Sequence, residues 1–287
     1  MDGNALVVQS LTKRYKDFVL DGVSFAVPRG AIVGLIGENG AGKSTTLNAI
    51  LGLIAKDGGS IEILGKQAGQ MDDALWNQIG VVFDGNNFPD VLTAKKLNLI
   101  LRKLYHTWDE GRFFSLLNKM ALPAEKKIKA FSKGMKMKLS IAVAFSHHAK
   151  LLILDEATSG LDPVARDDIL DLFLDFVQRE DHAILVSSHI TSDLEKVADY
   201  IVFIHQGKVV FCKPKDELRY QYGIIRCGTA QFEAIAPQDR LAYRRHDYEW
   251  DVLVADKAKA QRKYPKAVID PATIDEIMLL FAKGERK

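Results

Sequence analysis

The sequence predicts an α/β protein built on a largely parallel sheet. Three observations carry that prediction: short β-branched runs bounded by turn residues, a glycine-rich loop between one such run and a helical pattern, and regular alternation of strand-like and helix-like segments in the second half. Strands are expected at residues 6–8, 23–27, 31–36, 60–64 and 79–83, where Val, Ile and Leu cluster between turn residues. From residue 93 to about 148 the pattern becomes helical. Leu97, Leu101 and Leu104, then Phe113, Leu116, Leu117 and Met120, recur at the three-and-four spacing of amphipathic helices. The apolar run 151–154 returns the chain to the sheet. Asp162 followed by Pro163 marks a helix start, with Ile169, Leu172, Phe173, Phe176 and Val177 as its core face. Strands at 183–187 and 200–204 flank a shorter helix near 192–198.

The region from about residue 219 reads differently, with strand-like runs at 222–227 and 250–254 and one terminal helix. Asp270 is the expected cap of that helix and Pro271 its first residue. Ile274, Ile277, Met278 and Phe281 form one apolar stripe, and Gly284 is the stop. Such a stripe most simply packs on the rest of the chain, with a dimer or regulatory contact as the alternative. The expected division is therefore a domain over 1–218, with a helical insertion at about 84–148, and an extension over 219–287.

Composition narrows the function classes. The 287 residues are 47% hydrophobic, 26% charged and 9% aromatic, the profile of a globular protein with a sizeable core. The 39 basic and 37 acidic side chains nearly cancel to +2, so no overall field marks a nucleic-acid binder. Lys126, Lys127, Lys129, Lys133, Lys136 and Lys138 are a local cluster, but Phe131 is the one aromatic among them, and a solvated face is expected rather than a base-stacking surface. Two cysteines, Cys212 and Cys227, lack metal-ligand spacing and suggest a reducing compartment. No apolar stretch approaches the roughly 20 residues of a spanning helix, and residues 1–4 lack the pattern of a secretory signal. A cytoplasmic protein is expected.

Two motifs carry the chemistry. Gly37-Glu38-Asn39-Gly40-Ala41-Gly42-Lys43-Ser44 follows a strand and opens a helix, the context of a phosphate-binding loop. Its glycines let backbone amides turn toward a β-phosphate, and the helix N-terminus adds partial positive charge. Lys43 reaches the β- and γ-phosphates, Ser44 is placed for Mg2+, and Thr45 for a nearer phosphate. The second motif is the apolar strand 151–154 ending in Asp155 and Glu156, which puts two carboxylates at the ligand end of the sheet. Alone, the pair reads as well as solvated strand-end acids. Behind a phosphate loop, Asp155 is suited to hold Mg2+ and Glu156 to polarise a water.

With these motifs in place, residues 4 to 218 resemble the ATP-binding subunit of an ATP-binding-cassette (ABC) transporter, most closely the bacterial ABC-2-type exporter ATPases. The resemblance implies an N-terminal antiparallel β subdomain ahead of the parallel sheet, ATP and Mg2+ as ligands, and ATP hydrolysis. It also implies that Tyr15 stacks on adenine, that Ser159-Gly160-Leu161-Asp162 is the loop after the acid pair, and that His189 contacts the γ-phosphate and attacking water. Phe131-Ser132-Lys133-Gly134-Met135 stands at the signature, usually Leu-Ser-Gly-Gly-Gln. Ser132 and Gly134 keep its phosphate-holding hydroxyl and one glycine, while Lys133 and Met135 depart from it. Asp84 stands where the family has a glutamine, still able to ligate Mg2+ or a water.

The family's head-to-tail arrangement further implies a second ATPase subunit, identical or not, whose signature closes over the nucleotide. A step beyond the resemblance would have Asp84 of one subunit and Lys133 of the other meet at one γ-phosphate with offsetting charges; the simpler alternative, since charged side chains are usually solvated, is that Lys133 points to water. Separate membrane permease subunits, docking between Asp84 and Leu104, would hold the protein at the inner face of the membrane, with export as the direction. Two alternatives stay open: an ABC-type ATPase module not linked to transport, and a regulatory subunit that binds ATP but barely hydrolyses it.

Overall fold

The computed structural model describes residues 3–85, 87–247 and 249–286. The chain opens with β1 (Asn4–Arg14) and β2 (Val19–Pro28), paired antiparallel, and continues into β3 (Ile32–Ile36) and α1 (Lys43–Ile50). Strands β4 (Gly58–Ile63) and β5 (Lys66–Gln67) complete an antiparallel sheet of order β2-β1-β4-β5. The short α2 (Asp73–Trp76), capped by Asp72, leads to β6 (Ile79–Val82). Then come α3 (Ala94–Leu104), α4 (Glu110–Lys119) and α5 (Lys133–Ala144), each N-capped by a side chain, from Thr93, Asp109 and Ser132 respectively.

Strand β7 (Leu151–Asp155) re-enters the sheet, followed by α6 (Pro163–Val177), β8 (Ala183–Ser188), α7 (Thr191–Val197), β9 (Tyr200–His205) and β10 (Lys208–Pro214). The second sheet has the order β10-β9-β3-β8-β7-β6, parallel except for the edge pair β9 and β10. Both of its faces are covered, which explains the continuous apolar runs read from the sequence. Along β7, Leu151 and Ile153 face a core shared with the antiparallel sheet and α1, whereas Leu152 and Leu154 face one shared with the helices. Asp162 caps α6 through the Ala165 amide with Pro163 at its first position, as expected.

The C-terminal part contributes α8 (Lys215–Gln221), β11 (Gly223–Cys227), α9 (Thr229–Ala234), β12 (Ala242–His246), β13 (Glu249–Val254), α10 (Lys257–Lys263), β14 (Ile269–Pro271), α11 (Ile274–Lys283) and β15 (Glu285–Arg286). Its sheet, ordered β14-β11-β13-β12-β15, is antiparallel throughout. One face, with Ile225, Val252 and Val254, has a small core of its own; the other, with Ile224 and Leu253, joins the main helical core.

The terminal helix corrects one expectation. Asp270 and Pro271 belong to β14, where Ile224 of β11 lies opposite Asp270, and the Asp270 carboxylate accepts from Arg226. The cap is Thr273, whose hydroxyl accepts from the Glu276 amide at 3.2 Å while Glu276 accepts from the Thr273 amide at 2.9 Å. This reciprocal capping box satisfies two end amides, an arrangement that Asp270, held in an extended strand, cannot supply. The buried stripe is Ile274, Ile277 and Leu280, with Met278 and Phe281 half-buried beside it. The helix packs on the rest of the chain, against α7 and Phe211. At Gly284 a side chain would meet the Leu280 and Tyr243 carbonyls, so the stop depends on close approach of backbone.

Candidate nucleotide site

Strand order brings the site together. Strands β3, β8, β7 and β6 lie side by side and parallel, so the segments leaving their carboxyl ends line up: the glycine loop, His189, the Asp155-Glu156 pair and Asp84. Beside them the turn between β1 and β2 carries Tyr15, Asp17 and Phe18. Together these segments enclose a cavity of about 780 Å3, within the range of small-molecule sites.

The glycine loop is shaped by backbone requirements. A side chain at position 37 would lie 2.3 Å from the Ile204 carbonyl, and Gly42, which opens α1, has φ of 113°, a conformation L side chains rarely adopt. Lys43 is buried and donates to the Gly37 carbonyl at 2.8 Å and the Glu38 carbonyl at 3.3 Å. Asn39, Gly40, Gly42, Lys43, Ser44 and Thr45 line the cavity, while Gly37 and Ala41 act as framework behind it. The first amides of α1 point their partial positive charge at the same end.

The acid pair divides its contacts. Asp155 is buried and accepts a 2.5 Å hydrogen bond from the Ser187 hydroxyl, on the residue directly opposite it in the β7–β8 register. Glu156 follows at φ 52°, a left-handed conformation that costs a non-glycine residue about 1 to 3 kcal/mol. Its amide donates to Ser187. Its carboxylate lies between two cationic or proton-bearing groups: Oε2 is 2.6 Å from His189 Nδ1 and Oε1 is 3.8 Å from Lys43 Nζ. A strained residue carrying a nearly buried carboxylate into a polar cavity fits a group that handles a proton.

Tyr15 is half-exposed on the cavity wall, its ring 6.5 Å from the Phe18 ring by centroids and 5.6 Å from Lys13 Nζ. Ser44 and Asp155 offer hard oxygen donors of the kind Mg2+ takes. Among the described residues, no group of three His, Cys, Asp or Glu gathers closely enough to hold an ion alone, so phosphate oxygens and water would complete the shell.

Of the residues singled out from sequence, the cavity unites Tyr15, Asn39, Gly40, Gly42, Lys43, Ser44, Thr45, Asp84, Asp155, Glu156 and His189. Ser132 and Gly134 stay apart from it: Ser132 caps α5 at the Met135 amide, and Gly134 packs against Gly160. The charge pairing expected across two chains exists within one, with Lys133 Nζ 3.1 Å from Asp84 Oδ1. Lys136 of the lysine cluster pairs with Asp90. Asp17, Phe18 and Ser187 were missed as site residues. Phe18 lies three residues past Tyr15, a usable signal, whereas Ser187 depends on strand register.

Comparison with known proteins agrees with this geometry. A protein-family profile described as "ABC transporter" matches residues 20–159. The lantibiotic transport ATP-binding protein SrtF of Streptococcus pyogenes is 36% identical over 214 residues, 74% of this chain and 91% of the relative. The bacitracin transport ATP-binding protein BcrA of Bacillus licheniformis is 36% identical over 212 residues, 73% and 69% of the two chains. A solved ATP-binding subunit of an ABC transporter superposes with a TM-score of 0.69 at 31% identity, covering 75% of this chain and 92% of that one. The dimeric, post-hydrolysis cassette MJ0796 with ADP and phosphate, at 24% identity and a TM-score of 0.65, shares the fold. The chain belongs to the ABC transporter family, as an ATP-binding and ATP-hydrolysing subunit.

Proposed function

We propose that the cavity holds Mg·ATP and that its hydrolysis drives an exporter through separate membrane subunits. The observation that supports this reading most is the single carboxylate of Glu156 set between Lys43 and His189, at the mouth of a phosphate loop. Tyr15 stacks on the base, and the loop amides with Lys43 hold the β- and γ-phosphates. Ser44 and Asp155 would hold Mg2+, which when bound supplies charge neutralisation to the phosphates. Glu156 accepts the proton of the attacking water, and His189 fixes the orientation of that carboxylate. Ser132 and Gly134 serve a second subunit's nucleotide, so that two copies or two related chains close on ATP and open after hydrolysis.

No described helix is long and apolar enough to cross a membrane, so the spanning part is assigned to partner subunits. The names of two relatives, lantibiotic and bacitracin transport ATP-binding proteins, support a peptide-like or antibiotic cargo. Residues 1–218 form the cassette on this reading, and 219–287 a regulatory or dimerising extension. Gentle extraction of the tagged protein from its native membranes tests the assignment. A multi-spanning protein recovered in stoichiometric amount is expected. Recovery only with ribosomes or nucleic acid would instead place the chain among ATPase modules not linked to transport.

A further inference from the structure

Four carboxylates line the cavity, those of Asp17, Asp84, Asp155 and Glu156, against one lysine ammonium, Lys43. A triphosphate entering it meets an excess of negative charge at short range, where Coulomb terms are largest. One of the four is matched from outside: Lys133, the first residue of α5, reaches across to Asp84 at 3.1 Å. Its aliphatic stem runs beside the loop after the acid pair, where a Cβ added at Gly160 would meet its Cδ at 3.4 Å. Lys133 thus spans three segments, the end of β6, the start of α5 and the loop after the acid pair. The pair is half-exposed, with 58% and 44% of the two side chains accessible. An ion pair in such a setting is weak, worth less than a tenfold factor in an equilibrium, and yields to a stronger competitor for the carboxylate.

We propose that Lys133 is a positioning residue that competes with the nucleotide's divalent cation for Asp84. With Lys133 in place, Asp84 is neutralised and held at the rim, so the triphosphate binds without added repulsion. Without it, the bare carboxylate repels metal-free ATP and is open to the metal complex. This rests on the cavity being the Mg·ATP site, and it concerns a lysine and an aspartate that both depart from the residues usual at these positions.

The linked quantity is the gain in ATP affinity on adding Mg2+, measured by calorimetry with MgCl2 and with EDTA at fixed ionic strength. Lys133→Gln should raise that gain about three- to fivefold over the parent. Lys133→Arg should leave it at the parent value, and adding Asp84→Asn to Lys133→Gln should cancel the rise. A gain unchanged in Lys133→Gln, or a rise that survives Asp84→Asn, overturns the proposal. A rise seen only at protein concentrations where two chains associate also overturns it, assigning Lys133 to the partner's nucleotide. If the parent itself fails to bind ATP, the reading of the cavity falls instead, which keeps the two failures distinct.

Discussion

His189 Nδ1 and Glu156 Oε2 are 2.6 Å apart, joining the ends of two neighbouring parallel strands through one hydrogen bond. An ionised carboxylate only accepts, so Nδ1 carries the proton, and Nε2 remains an acceptor while the ring is neutral. Glu156→Gln keeps the size of the side chain and removes its capacity as a base. ATP binding should persist while kcat falls by about 10² or more, the usual range for a lost general base. Single-turnover hydrolysis alongside nucleotide affinity checks this, and an unchanged rate removes Glu156 from the role.

Lys43 is buried with its ammonium held by two carbonyls and facing Glu156. Lys43→Ala removes the phosphate-reaching charge and leaves those carbonyls without their donor. ATP affinity should fall by about 10² or more, given the strength of charge-assisted contacts to phosphate. Binding equal to the parent's in a variant with a normal circular dichroism spectrum would refute the phosphate-loop assignment.

Tyr15 is 47% exposed and lines the cavity, with Phe18 of the same turn and Lys13 of β1 as its neighbours. Base stacking on an aromatic ring contributes about 1 to 3 kcal/mol in nucleic-acid systems. Tyr15→Ala should therefore weaken ATP binding by roughly 5- to 150-fold, while Tyr15→Phe stays within about twofold because the ring is kept. Equal loss in both variants would assign the hydroxyl rather than the ring.

Most of the parallel sheet was legible because both of its faces are buried, which writes apolar runs such as 151–154 directly into the sequence. The glycine loop was legible for a different reason: backbone approach at Gly37 and positive φ at Gly42 permit almost no other residue. The C-terminal sheet was less so. Strand β12, Ala-Tyr-Arg-Arg-His, has one buried residue followed by two half-buried and two exposed ones, so no apolar alternation marks it. The terminal cap was misplaced because Asp270-Pro271 has the local chemistry of a helix start, while pairing with β11 and the Arg226 ion pair keep it extended. The Asp84–Lys133 pair lies 49 positions apart in sequence and depends on how α5 meets the end of β6.

Helix α11 offers two graded tests of how firmly the C-terminal part is tied to the main core. Ile277 is fully buried in the core that also contains the parallel sheet and α6. Ile277→Ala should destabilise by about 2 to 5 kcal/mol, the range for truncating a buried aliphatic side chain. Thr273→Ala removes the capping box and should cost about 0.5 to 2 kcal/mol. Thermal unfolding of both variants checks the order, and an Ile277→Ala protein as stable as the parent would mean that the helix is detached in solution.

His147 supplies a pH test that does not involve the site. Its ring is buried at the end of α5, stacks on Tyr105 at 4.2 Å, and sets Nε2 3.1 Å from the Ile79 carbonyl and Nδ1 3.2 Å from that of Val143. Burial holds its pKa below the ordinary 6.5, the two carbonyl contacts oppose that shift, and neighbouring His148 reinforces it. His182, pushed down mainly by burial beside Phe176, behaves alike. As pH falls through about 6.5 the unfolded chain takes up these protons before the folded one does. The stability they support is thus complete above that pH and declines from there toward the lower folded-state values. Melting temperatures between pH 7.5 and 5 should show this decline in the parent, a shallower one in His147→Gln, and a further reduction in the double variant with His182→Gln. Identical slopes in all three would mean that neither ring is held neutral by burial.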